Sequence, residues 1–164
     1  MAFSATAALW FLPFVVPLCL YVAFTDLRAM RIANGTVLTI AALFVVLGPL
    51  LFPFKTYLWQ LSHLGVVLIA GVALNAAGVM GAGDAKFAAA AAPYIALGDI
   101  KLLFAIYATL LLAAYAAHRI AKYSPLRQLA PHWDSWDQGR KFPMGLALGP
   151  TLAIYLILAA IYGS

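Results

Sequence analysis

The chain has 164 residues, of which 66% are apolar and 9% charged. It is long enough for a single domain, 1–164, and far from the composition of a soluble globular protein. Its net charge of +5 points to loops facing anionic lipid and not to nucleic acid. Its one cysteine, Cys19, lies inside the first apolar run, which excludes a disulfide framework or a Cys-ligated zinc site within one chain.

The hydrophobic residues come in runs with no polar face, the pattern of an all-α, polytopic membrane helix bundle. Six transmembrane helices can be drawn. The first, about Ala8 to Phe24, holds Pro13 and Pro17 and has no basic segment before it, so it reads as a retained helix and not a cleaved signal. A polar segment with Asp26, Arg28, Arg31 and Asn34 leads to the second span, Val37 to Phe52, which Pro53 closes. Tyr57 and Trp59 suit an interfacial belt. The third span, about Leu61 to Val79, ends at Gly78-Val79-Met80-Gly81-Ala82-Gly83-Asp84-Ala85-Lys86. The fourth, Ala85 to Leu97, is rich in alanine and carries Pro93. The fifth runs from Ile100 to Ala117, and the sixth from Met144 to Tyr162, after a polar loop.

The fourth span reaches only about 20 Å, against a core of about 30 Å. Charge decides in its favour. With six spans, one face receives Arg28, Arg31, Lys86, Arg119, Lys122, Arg127, Arg140 and Lys141, and the other only Lys55 and Lys101. That asymmetry is a positive-inside signal and collapses if the fourth segment fails to cross. It puts both termini outside the cytoplasm, Asp26 and Asp84 at the cytoplasmic boundary, and Asp99 on the outer side.

The acids are few: five Asp and no Glu. A carboxylate at a membrane boundary needs water, a partner or a function. Gly81 and Gly83 let the backbone leave helical geometry ahead of Asp84, and such a break is tolerated at membrane depth only inside protein or along a wet cavity. Two carboxylates meeting in a poorly hydrated cleft share one proton. One can then activate a water while the other protonates the oxygen of a peptide carbonyl, with no metal and no covalent nucleophile. Side-chain-free backbone at Gly81 and Gly83 could also pair with an unwound substrate as a strand partner. Each acid has a plainer reading as well: Asp84 as a cap at a helix N-terminus, Asp26 as a charge paired with Arg28 or Arg31. What favours a pair is that both acids fall on the same side, one of them at a glycine break. Lys86, about 200° around a helix from Asp84, faces elsewhere and suits lipid phosphate or a structural contact. His132-Trp133-Asp134 reads as a wet amphipathic loop, not a metal site. Pro143-Met144-Gly145 reads as a helix start, Pro favouring the first turn, with a non-helical backbone near the acids as the alternative. No HExxH zinc motif and no glycine-flanked serine nucleophile occurs.

At Gly81-Ala82-Gly83-Asp84-Ala85-Lys86 the chain resembles the type IV prepilin peptidases, which are GxGD aspartyl proteases. The earlier Asp26-Leu27-Arg28-Ala29-Met30-Arg31-Ile32-Ala33-Asn34 is similar to the family's Asp followed by Arg-Ile-Pro-Asn, with Ala33 in place of the Pro. Pro143-Met144-Gly145 is similar to its Pro-x-Gly segment before the last helix. Presenilin-like proteases share GxGD but carry a Tyr-Asp element, and here Thr25 precedes Asp26. The resemblance implies a bacterial inner-membrane endopeptidase that removes the short basic leader of prepilins or pseudopilins at the cytoplasmic face. It implies a catalytic pair, Asp26 and Asp84, with no cofactor. Gly81, Gly83, Pro143 and Gly145 would shape backbone and substrate binding, and Arg28, Arg31, Asn34 and Lys86 would support them. The chain has no cytoplasmic insertion with paired Cys-x-x-Cys motifs, so it looks like the small type of Flp-pilus and tight-adherence systems, without N-methyltransferase activity. The rival readings are a small transporter or channel subunit with the two Asp as ion ligands, and a structural subunit of a secretion or pilus assembly.

Overall fold

The computed structural model describes residues 1–139 and 141–164, and every element among them is helical. Six α-helices follow one another: α1 (Ala5–Ala29), α2 (Asn34–Leu51), α3 (Phe54–Ala76), α4 (Ala82–Ala91), α5 (Ile100–Lys122) and α6 (Gly145–Tyr162). Five stretches are long and apolar enough to cross a membrane, and α4 is not among them. Arg140, counted above with the basic face, lies outside the described residues.

The helices run longer than their apolar cores, so α1 carries Asp26 and Arg28 within its last turns. Pro13, Pro17, Pro49 and Pro150 all sit inside helices, as neighbouring helices in a bundle allow. The stop after α1 is sharp: Met30 takes a left-handed φ of 49° and its N–H caps the carbonyl of Asp26. A left-handed non-glycine residue costs roughly 1–2 kcal/mol, so the turn that follows Asp26 is held by its surroundings.

The tightest packing is between α1 and α6. Along α1 the buried residues Ala8, Phe11, Val15, Cys19, Val22 and Asp26 recur every three or four positions, one inward stripe. Along α6 the small residues Gly145, Gly149 and Ala153 face it, and Gly149 lies directly against the Cys19 carbonyl. Small residues at four-residue spacing let membrane helices approach closely. Farther along, Phe11, Phe44, Tyr57 and Tyr94 form a stacked and edge-on aromatic cluster, and the Tyr94 hydroxyl donates to the Ile40 carbonyl at 2.7 Å.

α4 is the buried member of the bundle. Phe87, Ala89, Ala90 and Tyr94 are all shielded. After α4 the chain continues through two 3₁₀ turns, Ala92–Tyr94 and Leu97–Asp99, and so reaches the far end of the bundle. There Asp99 accepts hydrogen bonds from the backbone N–H groups of Ala2 and Phe3 and from the Tyr155 hydroxyl at 2.9 Å. The Met1 amine donates to the Tyr162 carbonyl beside it. The fourth segment therefore traverses the bundle although it is too short to be a lipid-facing span, because irregular backbone at that depth is covered by protein. Large apolar side chains such as Leu50, Ile69 and Leu112 stand exposed on the outer helices, the surface a bilayer covers.

Asp99 is thus a satisfied structural anion that ties the N-terminus to α5 and α6. Its replacement by Ala strands two amide donors and a tyrosine hydroxyl. We expect Asp99→Ala to lose on the order of 2–3 kcal/mol of stability, read as a lower thermal midpoint in detergent, with helical content kept at low temperature.

Candidate active site

The end of the bundle opposite Asp99 gathers the last turn of α1, the first turn of α4 and the first turn of α6. Asp26 occupies the position on the α1 stripe where the next core residue belongs and is only 5% exposed. Its partner comes from the far end of the sequence: the Gly145 N–H donates to Asp26 Oδ2 at 2.6 Å. Gly145 is the first residue of α6, so the carboxylate rests on a helix N-terminus, where free amides and the helix dipole favour negative charge. A methyl group on Gly145 would sit 2.9 Å from Asp26 Cβ and 3.0 Å from Oδ2. Glycine is required there by the closeness of the acid. Pro143 is buried just ahead of α6, and its carbonyl accepts from Leu146 N–H.

Asp84 lies in the first turn of α4, half-buried, and its carboxylate folds back over the preceding turn. A Cβ on Gly81 would meet Asp84 Oδ2 at 2.7 Å. Asp26 on the last turn of α1 and Asp84 on the first turn of α4 lie at the same end of the bundle.

The backbone break differs in detail from the sequence expectation. The chain leaves α3 at Ala77, and Gly78 takes the left-handed φ of 73°. Gly81 is the extended residue that caps α4. Gly83 is not part of the break: it is helical, and its bare face adjoins buried Ile32, 3.4 Å from where a Cβ would lie. Asp84 is the third residue of the helix, directly after Gly83. The Asn75 side chain donates to the Met80 carbonyl at 2.8 Å and spans the break.

Lys86 turns away from Asp84, as its position around the helix implies. Its Nζ donates to Asn34 Oδ1 at 3.2 Å, which pins α4 to the start of α2. Arg28 and Arg31 are exposed at this end, and among the described residues the one ion pair is Arg127–Asp137. The connection between α5 and α6 is better packed than a wet loop. Trp133 meets Phe24 of α1 and stacks on Trp136 at 5.6 Å. Trp136 stacks on His118 at 5.1 Å, and His118 meets Phe142 edge-on. This aromatic run leads to the residues just ahead of Gly145. No group of three or more His, Cys, Asp or Glu that could hold a metal occurs among the described residues.

Three contributors escaped the sequence reading: Ile32 against Gly83, Tyr107 of α5, which lines the same crevice as Met80, and the Gly145 amide itself. Of these only Ile32 carried a signal, as an apolar residue inside a polar segment.

The sequence model of the Type IV leader peptidase family matches residues 13–117, more than half of the chain. The chain belongs to the type IV leader peptidase family. The matched stretch takes in both Asp26 and Asp84 and stops short of Gly145. No curated protein and no solved structure matches. A leader peptidase is a protease, and its long apolar helices suit one that works in the membrane.

The crowding around Asp26 makes a specific demand. Gly145→Ala should push the Asp26 carboxylate aside and lower peptidase turnover at least about tenfold, whereas Gly65→Ala, with no atom within 4 Å of the added carbon, should leave it unchanged. Parallel rate and thermal-melt measurements on the two purified variants check this.

Proposed function

We propose that the chain is an aspartic endopeptidase that cuts the basic leader from Flp-type prepilins or pseudopilins at the cytoplasmic membrane face, with Asp26 and Asp84 as its catalytic pair. The observation that carries this reading is that two acids, 58 positions apart in the chain, fall at the same end of the bundle, one on the last turn of α1 against the start of α6 and one on the first turn of α4. Family membership supports a leader peptidase, and the three stretches noted in the sequence support the finer assignment.

The chemistry follows from the pair. One carboxylate, as base, takes a proton from a water, whose oxygen attacks the peptide carbonyl carbon. The other, as acid, delivers a proton to the carbonyl oxygen. Collapse of the tetrahedral species breaks the C–N bond, and a proton returns to the leaving amine. The Gly145 amide engages Oδ2 of Asp26, which holds the carboxylate in place. The exposed backbone from Gly78 to Gly81 is accessible to an unwound substrate strand.

Charge orients the site. Arg28, Arg31, Lys86, Arg119, Lys122, Arg127 and Lys141 belong to the ends and connections at the Asp26 side, and Lys55 and Lys101 to the Asp99 side. By the positive-inside rule the Asp26 side is cytoplasmic. The whole chain serves as one peptidase domain, and methylation of the new N-terminus is not expected of it.

The test is cleavage of a candidate prepilin by purified protein in detergent. Asp26→Asn and Asp84→Asn should each lower the rate by about a hundredfold or more, with insertion and melting preserved. Full processing by Asp26→Asn would end the proposal.

A further inference from the structure

On the opened side of α4 lies a crevice of about 360 Å³. Its floor is Ala88, Ala91 and Ala92, and its walls include Val67 of α3 and Phe104 and Tyr107 of α5. α5 rests on α6 and has no comparable packing against α3 or α4, so the space between α3 and α5 is unroofed toward the surrounding lipid. We propose that this crevice seats the apolar transmembrane helix of the peptidase's own substrate and so presents the leader junction to Asp84. The inference rests on the leader-peptidase reading above.

Three features fit that occupant. The lining is almost wholly apolar, which suits aliphatic side chains and not a charged leader. Its volume is at the small end for ligand sites, room for side chains from one face of a helix. The alanine floor lets the backbone of such a helix come close, as small residues do wherever helices pack in membranes.

Continuity with the acids is the stronger argument. Asp84, Ala88 and Ala91 recur at helical spacing and share one face of α4. Met80, at the near end of the crevice, directly precedes Gly81, over which the Asp84 carboxylate folds. Tyr107 stands on the opposite wall of the same crevice that Met80 lines. From Ala91 to Asp84 is two turns, about 10 Å along the axis. A substrate helix lying on the floor therefore ends where the acids begin. The crevice on the other flank of α4, between α2 and α3, lacks this continuity: Lys86 donates to Asn34 across its mouth, and that cation repels a basic leader.

The probe is a synthetic peptide with a basic, glycine-ended leader joined to an apolar helix of about 20 residues, compared with the apolar helix alone. With wild-type protein in nanodiscs the helix alone should inhibit cleavage competitively. Ala91→Trp, which fills the floor, should raise KM for the full peptide at least about fivefold with kcat within about twofold. Val46→Trp on the lipid-facing side of α2, 66% exposed at that position, should change neither. Because Ala91→Trp could fold poorly, a benzophenone on the helix peptide is also crosslinked to wild-type and Asp84→Asn proteins and mapped by mass spectrometry. Label on Val67, Phe104 or Tyr107 supports the inference in either protein, even if no cleavage is seen. Cleavage with label confined to α2 or to the opposite flank, or an unchanged KM in a well-folded Ala91→Trp, overturns the groove and leaves the peptidase standing.

Discussion

A single hydrogen bond, from the first amide of α6 to a carboxylate on the last turn of α1, organises one end of this molecule. A buried carboxylate in an apolar bundle is costly unless something satisfies it. Here the donor is the Gly145 N–H, an amide that every helix leaves free at its start. The same contact explains why α6 must begin with glycine, since the acid occupies the space a side chain would need. The small residues of α6 at four-residue spacing hold its first turn over Asp26, so the packing of the bundle is what aims the donor.

The two ends of the bundle use buried aspartates for opposite purposes. Asp99 is met by two backbone amides and a phenol, and every donor around it points at an oxygen. Nothing there is left for chemistry. Asp26 receives one amide on one oxygen among the described residues, and its neighbour is another acid. A second carboxylate at close range is destabilising for a purely structural anion, because like charges in a poorly hydrated site repel. A fold that needed only an anchor at this end has the Asp99 solution available. An arrangement that instead brings two acids together is one that makes a shared proton possible.

Much of this was legible in the chain. Long apolar runs foretold the helices, and the shortness of the fourth was visible from Pro93 and Gly98. Its depth inside the bundle was not, because an alanine-rich segment has no polar face to say which side is covered. Asp26 could be placed at the end of the first span, but its inward direction could not, because that span is apolar on every face and only the structure shows the stripe of Phe11, Val15, Cys19 and Val22 that it continues. Its partner Gly145 is 119 residues away, and no local pattern encodes an amide. Gly83 misled because glycine is permissive and not obligatory: a residue that can break a helix need not, and here Gly78 supplied the left-handed turn. The loop with Trp133 and Trp136 resembled a wet amphipathic segment by composition. Its rings found Phe24 and His118 instead, contacts between distant elements that composition does not carry.

The shortness of α4 then has a physical sense. α4 has ten residues and begins level with the turn between α1 and α2, with Gly83 against Ile32 and Lys86 on Asn34, and the two 3₁₀ turns after it carry the chain to the far end. Because its apolar side chains are already covered by neighbouring helices, the segment does not need the length that lipid exposure would demand. The break from Gly78 to Gly81 is an irregular stretch that joins the long α3 to this short α4 and leaves Gly78, Val79 and Gly81 exposed ahead of the acid. The deficit in length, the glycines and the position of the second carboxylate are one arrangement and not three.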